Sequence, residues 1–222
     1  MKIETLEISG FRPALHGMRD PMDSWGKGDT VYALGTLRTF DKDGLHVHSD
    51  VVEDMQVGDA DRDLSSRLQA AGPEHCKHLR MIMAYADITA PRYWWTEMDT
   101  YRAGVEKVSC STMHKLMARP LTIDDFEIDD KDDVGTKTMV DCLNGMMTVY
   151  KEIIDKDEKK KIWRKIIQHL PQSYLQKRTV MFSYAALRNI YRQRKGHKLS
   201  EWQTFREWVE SLPESWMITE GD

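Results

Sequence analysis

Residues 183–202 read SYAALRNIYRQRKGHKLSEW, and this stretch decides the fold of the second half of the chain. Residues 184–195 are predicted to form a helix, which Gly196 ends. A second helix is predicted over 200–211, because Ser200 can cap its start and apolar residues recur on one face. That face consists of Trp202, Phe205 and Val209. Two successive helices here predict a helix-rich C-terminal half.

The polar side of the first helix carries side chains suited to ligand binding. Asn189 and Gln193 lie one turn apart on one face, so both amides can reach the same ligand. Arg194 is one of the arginines of this surface, and the fork of an arginine suits phosphate groups and the imide edge of a pyrimidine base. The other cations of this surface are Arg188, Arg192 and Lys195. A solvated basic helix without a ligand is the alternative, which spacing alone favours.

Working outward from this stretch, turn signals divide the chain into further elements. Strands are predicted at 2–9, around Val31–Leu37, at 79–89 and at 176–183. Helices are predicted at 61–72, 91–106, 136–155 and 159–169. The acidic run within 121–133 is interpreted as a solvated loop. Together, these strands and helices predict one α/β (α+β) domain over 1–222, with a variable N-terminal part over 1–60.

Length and charge limit the class of partner. The chain has 222 residues, a net charge of -4 and an isoelectric point of about 6.1. Long nucleic acid requires many cations to neutralise its phosphates, so a mildly acidic chain is not expected to wrap it. A small phosphorylated ligand requires only a local basic cluster and remains compatible with this composition.

The cysteines and the N-terminal residues predict a location. Cys76, Cys110 and Cys142 are odd in number and form no CxxC pair, which is typical of reduced thiols. The first residues, MKIETLEISGF, lack the apolar run of a signal peptide. No stretch approaches the roughly 20 apolar residues of a membrane span. We therefore expect a soluble, cytoplasmic protein without membrane contact.

Two groups of histidines invite a metal interpretation. His46 and His48 would point the same way from a strand, and His75 and His78 flank a cysteine. Zinc sites usually have four ligands with recognisable spacing, and neither group is accompanied by a second pair of ligands in the sequence. No metal is predicted.

Residues 107–116, KVSCSTMHKL, contain four small polar side chains in a row. Such hydroxyls and the neighbouring backbone N–H groups suit phosphate oxygens. Cys110 and His114 are spaced for one helix face, so a thiolate–imidazole pair is conceivable. No third, orienting residue is identifiable. Cys110 as a small buried side chain is the favoured interpretation.

Residues 90–102, APRYWWTEMDTYR, resemble the helix that opens the signature of the flavin-dependent thymidylate synthase family. In that family an alanine-proline-arginine-aromatic start leads to a glutamine and then to an Arg-His-Arg triplet. Glu97 stands at the place of the glutamine, and residues 100–102 stand at the place of the triplet, of which Arg102 is retained.

The next family segment, of the form S-x-N-E-x-S-x-R-Y, resembles residues 108–114 if one residue is inserted. Ser111 then matches the serine of the dUMP site, and Ser109, Met113 and His114 replace the glutamate, arginine and tyrosine. Without the insertion, Cys110 replaces that serine.

The C-terminal half also resembles this family. The family pattern N-A-R-S-L-x-N-F-x-x-x-R, followed by a histidine and a tryptophan, is similar to residues 183–202. The likeness rests on Leu187, Asn189, Arg194, His197 and Trp202, with Ser183 at the place of the first asparagine. The family-like region spans 79–210, and it looks closest to a divergent branch such as phage genomes carry.

The resemblance implies a flavin-dependent thymidylate synthase fold with a mixed sheet and a specific chemistry. FAD would accept hydride from NADPH, take a methylene group from methylenetetrahydrofolate and deliver it to C5 of dUMP. No amino-acid nucleophile attacks the base, and the protein contributes binding, orientation and electrostatics. Family members are homotetramers with active sites shared between subunits.

The resemblance also implies roles for individual residues. Arg194 and Ser111 would act at the reacting centre. The flavin would contact Tyr101, Arg102, Ser109, Asn189 and His197. The nucleotide would contact Glu97, Ser109, Ser111, His114, Gln193 and Arg194. The alternatives are the same fold with a changed pyrimidine-nucleotide reaction, and a non-catalytic nucleotide-binding or assembly protein.

Overall fold

A computed structural model describes residues 1–40 and 46–220, with all of their side chains except those of 34–40, 46–53 and His114. Its strands are β1 (Lys2–Ser9), β2 (Val31–Phe40), β3 (His46–Gln56), β4 (Met83–Pro91), β5 (Val105–Ser109) and β6 (Leu175–Ser183). Its helices are α1 (Phe11–Gly17), α2 (Asp59–Ala71), α3 (Arg92–Met98), α4 (Thr112–Lys115), α5 (Val134–Glu152), α6 (Lys156–His169), α7 (Tyr184–Gln193), α8 (Ser200–Glu210) and α9 (Trp216–Thr219). Short 3-10 turns lie at Asp20–Met22, Trp25–Lys27, Lys77–Arg80, Leu116–Ala118 and Ile123–Asp125.

Four strands form the main sheet, in the order β1-β4-β6-β5. All of its described pairs are antiparallel, whereas the family resemblance implied a mixed sheet. The helical segment between β5 and β6 explains this arrangement. It returns the chain to the end of the sheet at which β5 finishes, where Ser109 pairs with Arg178. An antiparallel neighbour is the consequence.

Strand β4 provides the centre of the large core. Its inward side chains alternate with outward ones, and they are Ala84, Ala86, Ile88 and Ala90, all fully buried. Large rings fill the same core, including Trp94, Trp95, Trp202, Phe182 and Phe205. Small side chains on the strand leave volume for these rings, as close packing requires.

Helices α3 and α7 begin at opposite ends of the sheet and meet at their C-terminal ends. Strand β4 passes into α3 at Pro91, which pairs with Leu175, and β6 passes into α7 at Ser183, which pairs with Met83. Ser183 caps α7 by accepting a hydrogen bond from the backbone N–H of Ala186 at 3.2 Å. The helix ends thereby bring two distant sequence segments together.

The predicted helix over 91–106 is wrong in its second half. Helix α3 ends at Met98, and the chain turns through Gly104 into β5. Gly104 has φ +72, and a Cβ there would lie 2.4 Å from Ser183 Oγ. Only glycine fits this close approach at low cost. No periodicity in residues 99–109 distinguishes the short edge strand from a continued helix.

A second, smaller core lies within residues 112–174. It contains Leu116, Leu121, Phe126, Val140, Leu143, Met147, Ile166 and Leu170. Helices α5 and α6 supply most of it. Asp133 and Asp155 cap them, each accepting backbone N–H groups of the first turn. The predicted apolar face of residues 136–155 is confirmed at Val140, Leu143 and Met147, while Ile154 lies beyond the helix and is 95% exposed.

The N-terminal part contains a separate two-stranded sheet of β2 and β3. The strand predicted around Val31–Leu37 is confirmed and extends to Phe40, and its partner β3 was not predicted. Asp61 of α2 is buried and accepts a 2.7 Å hydrogen bond from Arg19. The side chains of His46 and His48 lie outside the described residues.

The remaining boundaries differ by a few residues from those predicted. The strand predicted from residue 79 begins at Met83, because a 3-10 turn occupies Lys77–Arg80. Helix α8 begins at Ser200, but Leu199 is its N-cap and no side-chain cap forms. The acidic run is a loop, as predicted, apart from the 3-10 turn at Ile123–Asp125.

Candidate functional site

Glu97, near the end of α3, is the centre of a polar cluster above the buried tryptophans. Its Oε2 accepts hydrogen bonds from Arg194 Nη1 at 2.8 Å and from Trp202 Nε1 at 2.9 Å. His197 Nε2 lies 3.3 Å from the same oxygen. Two hydrogen bonds to one carboxylate oxygen fix the orientation of Glu97 and of the Arg194 guanidinium.

Arg194 is held from several sides, yet part of it remains accessible. Its Nε donates to the Tyr101 hydroxyl at 2.9 Å, and its guanidinium lies 4.3 Å from the centre of the Trp202 ring. The side chain is 16% exposed. Nη2 has no hydrogen bond to any residue of the described part. Its two N–H groups can therefore serve a ligand.

A relay of hydrogen bonds runs from Arg194 along α7. The Tyr101 hydroxyl, which accepts from Arg194, donates to Gln193 Oε1 at 3.0 Å. Gln193 Nε2 then donates to Asn189 Oδ1 at 2.9 Å. The prediction that the two amides share one helix face is confirmed. Each donor and acceptor in the relay has one defined role, which fixes the positions of the side chains.

His197 has a defined tautomer. Its Nδ1 accepts a hydrogen bond from the backbone N–H of Leu199 at 3.2 Å. The proton of a neutral ring is then on Nε2, which faces Glu97. The imidazole therefore presents its N–H side to the Glu97 carboxylate.

A cavity of about 850 Å³ adjoins the other end of this relay. Asn189 lines it together with Ser183 and Gly104 at the start of α7. Its cations are Arg80, Arg188 and Arg192. Among the described residues that line it, none has an acidic side chain. The wall is therefore cationic, and its donor set suits an anionic ligand.

His78 lies behind this wall and contributes no charge to it. Its Nε2 is 2.9 Å from Ser65 Oγ, and the ring is only 3% exposed. Burial, and after it the charge of Arg188, lowers the pKa of His78 to about 4. At neutral pH the positive charge of the wall belongs to the arginines.

The segment that follows β5 lies beside β6. Ser109 and Cys110 are exposed, and Ser111 is partly exposed. The backbone N–H of Cys110 donates to Lys177 O at 2.9 Å, and Gln176 Nε2 donates to Thr112 Oγ1 at 3.3 Å. The prediction of a buried Cys110 is wrong, because the residue lies at the end of an edge strand. It also precedes α4, so it does not share a helix with His114, whose side chain lies outside the described residues.

Solved structures provide a comparison for this arrangement. The chain is similar to the structure of thymidylate synthase X (ThyX) from Helicobacter pylori with FAD and dUMP, with a TM-score of 0.70 and 15% identity. The alignment covers 99% of this chain and 98% of that one. A second structure of the flavin-dependent thymidylate synthase ThyX from Helicobacter pylori, complexed with FAD and dUMP, gives a TM-score of 0.68 at 15% identity, covering 99% of each chain. The chain has the flavin-dependent thymidylate synthase fold.

Comparisons of sequence, unlike those of structure, find no relative of this chain. No protein-family model matches the sequence, and no curated protein matches it either. Backbone geometry over nearly the whole chain is thus the evidence for the fold. At this identity the likeness extends to the fold alone.

The fold brings together six of the residues predicted from sequence: Glu97, Tyr101, Asn189, Gln193, Arg194 and His197. Arg102 is exposed on the turn after α3, and Ser109 and Ser111 lie along β6. No site role was predicted for Trp202, and Arg188 and Arg192 were predicted only as part of a basic helix surface. The i, i+4 spacing of Arg188 and Arg192 was the available signal for the latter.

Within residues 1–40 and 46–220, no group of three or more of the described His, Cys, Asp or Glu side chains is placed to hold a metal ion. None of the helices in these ranges is both long and apolar enough to cross a membrane.

Proposed function

We propose that this protein is a thymidylate synthase-like flavoenzyme that binds FAD and dUMP. The proposed reaction methylates dUMP to dTMP, with methylenetetrahydrofolate as carbon donor and NADPH as reductant. The observation that supports it best is the relay from Glu97 through Arg194 to Asn189, which ends at the cationic cavity. A polar site for a base therefore adjoins a cationic site for a phosphorylated cofactor, on a fold shared with proteins that bind both.

The cavity fits a flavin dinucleotide by the chemistry of its donors. Arg188 and Arg192 can neutralise a diphosphate, and none of the described residues that line the cavity is acidic. Asn189 offers an amide N–H to a flavin carbonyl, because its Oδ1 already accepts from Gln193. Bound FAD would supply the redox and carbon-transfer chemistry. The chain's own residues bind, orient and shield.

Arg194 is the proposed base-binding residue. Its free Nη2 N–H groups suit a pyrimidine carbonyl oxygen, and Glu97 and Tyr101 hold the guanidinium in one orientation. Preorganisation of this kind lowers the cost of ordering the side chain when the ligand binds. Ser109, Ser111 and His114 are proposed for the nucleotide, and Tyr101, Arg102 and His197 for the flavin side.

One observation favours a second candidate, a changed pyrimidine-nucleotide reaction on the same fold. The Tyr101 hydroxyl and the Thr100 hydroxyl, which occupy the place of family cations, are engaged within the chain, the latter with Glu97 O at 2.7 Å. Charge at that place is reduced to Arg102. The preference for a particular pyrimidine nucleotide is therefore the property that we expect to differ most from that of the family.

The first experiment is the visible absorption spectrum of the purified protein before and after addition of FAD and dUMP. We expect a flavin spectrum that persists through gel filtration and shifts with dUMP. A colourless protein that takes up no FAD would contradict the proposal and favour a non-catalytic role. Light scattering tests the proposed homotetramer, whose mass would be about four times that of the 25.9 kDa chain.

The role of Arg194 has its own test. Arg194→Ala should weaken dUMP binding by about ten-fold or more in calorimetry, since a charge-assisted hydrogen bond contributes about 1.5–3 kcal/mol. Arg67→Ala is the matched control, because Arg67 is an exposed arginine of α2 paired with Asp63. Equal dUMP affinity of the two variants would remove Arg194 from the site.

A further inference from the structure

A groove of about 530 Å³ lies between the end of α5 and the first turns of α6. It is distant in sequence from the Glu97–Arg194 cluster and rests on the smaller core. The residues that line it are Met113, Tyr150, Lys156, Lys159, Lys160 and Trp163. Those of α6 recur at three- and four-residue intervals, so they form one stripe of the helix.

The lysines of this groove lack carboxylate partners within the described ranges. Lys156, Lys159 and Lys160 form no ion pair with any residue of these ranges, whereas Lys161 on the same helix pairs with Glu158 at 2.7 Å. The groove is therefore a local excess of positive charge on a chain whose net charge is -4. The acidic segment of a second copy is a poor occupant, because four of its carboxylates already pair with cations of their own chain: Asp124, Asp125, Glu127 and Asp132.

Aromatic rings accompany these cations. Lys159 Nζ lies 4.9 Å from the centre of the Tyr150 ring, and the Trp163 ring is only partly buried beside it. Aromatic side chains interleaved with lysines are the combination that binds bases by stacking and phosphates by charge.

The apolar side of α6 argues against a membrane surface as the occupant. Ile162, Ile166 and Ile167 face the smaller core and pack within it. A helix that lies on a membrane requires an apolar face of its own to insert.

We propose that this groove binds a short single strand of nucleic acid, with phosphates on the lysines and a base on Trp163. The size of the groove limits the contact to a few nucleotides, so long duplex wrapping is not involved. Met113 lies between Ser111 and His114, which are proposed for the nucleotide, but the lysines and Trp163 that carry this proposal belong to α6.

The test is fluorescence anisotropy of a labelled 15-nucleotide oligo-U strand titrated with the full-length protein at low salt. We expect saturable binding that weakens as salt increases, with a log–log slope of about -2 for three phosphate contacts. Lys159→Gln combined with Lys160→Gln should weaken binding about ten-fold or more and reduce the slope to about -0.7. Trp163→Leu should weaken it about five-fold or more through lost stacking.

Lys161→Gln is the matched control, because it removes one charge from the same helix outside the groove, and it should change affinity less than about three-fold. Circular dichroism confirms that each variant is folded. Saturating dUMP should leave oligo-U binding unchanged, which separates this site from the proposed active site. No binding at micromolar protein, an equal loss in Lys161→Gln, displacement by dUMP, or binding to anionic phosphatidylserine vesicles without oligo-U binding would each overturn the proposal.

Discussion

The two hydrophobic cores differ in size, in composition and in what they support. The large core is built on β4 and filled by aromatic rings, among them Trp94, Trp202 and Phe205. The small core is mainly aliphatic and is made by α5 and α6 with the segments before them. The Glu97–Arg194 cluster lies on the large core, and the basic groove lies on the small one.

The difference between the two cores shows that a rigidly held side chain suits a base, whereas more exposed side chains suit phosphates. The Arg194 guanidinium rests on a fully buried tryptophan and is oriented by two polar neighbours, Tyr101 and Glu97, as a base-specific contact requires. The lysines of α6 are exposed or partly exposed and keep several conformations open, which suits phosphates without fixed register.

The largest expected effect comes from removing the ring that joins the large core to the site. Trp202→Ala should lower the free energy of unfolding by about 3–5 kcal/mol, because the indole is fully buried and its loss leaves a cavity. Urea unfolding followed by circular dichroism measures this. Trp202→Phe is the control, which keeps a ring but not the N–H donor to Glu97. A loss under 1 kcal/mol for Trp202→Ala would contradict the assigned packing.

The small core should be easier to perturb without affecting the proposed active site. Leu143→Ala should cost about 2–4 kcal/mol, since Leu143 is 2% exposed. We expect binding of dUMP to be retained under conditions where the variant remains folded. Loss of dUMP affinity in a folded variant would show that the two cores do not act separately.

The pH dependence of the free energy of unfolding tests whether His78 is buried in its neutral form beside the large core. Its pKa is about 4 when folded and near 6.5 when unfolded, so the unfolded state binds more protons as the pH falls. The contribution of neutral His78 to the free energy of unfolding is complete above pH ~6.5. It should decline by about 2 kcal/mol by pH 5. Urea midpoints at several pH values measure this decline. His78→Gln should reduce the slope in that window, and an unchanged slope would exclude His78 as its source.

The smallest effect concerns the charge at Glu97. Glu97→Gln keeps an acceptor but loses the ion pair with Arg194, and it should cost about 1 kcal/mol in a partly exposed position. A change in dUMP affinity larger than the change in stability would indicate that Glu97 mainly orients Arg194. Equal stability and equal dUMP affinity would leave Glu97 without such a role.

The sequence predicted the helices and strands best where local signals were strong. The amphipathic pattern of α5, the glycine that follows α7 and the alternation in β1 all identified their elements. The turn at Gly104 and strands β3 and β5 were missed. Their existence depends on pairing with distant residues, and short strands have weak local preferences.

The candidate site also combines features that local sequence signals predict with features that depend on contacts between distant residues. One-turn spacing predicted that Asn189 and Gln193 act together, and the family resemblance selected Glu97, Tyr101, Arg194 and His197. Spacing did not reveal that Arg188 and Arg192 line a cavity, because the other wall comes from residues more than a hundred positions earlier.

By itself, the sequence determined the helix-rich second half, the polar face of α7 and the likeness of two segments to one family. These depend on periodicity and residue type, which are local properties. Only the tertiary structure decided that Glu97 and Arg194 form one cluster, that Cys110 is exposed and that unpaired lysines share a groove with Trp163. Contacts between distant segments arise from packing and strand register, which no local pattern specifies.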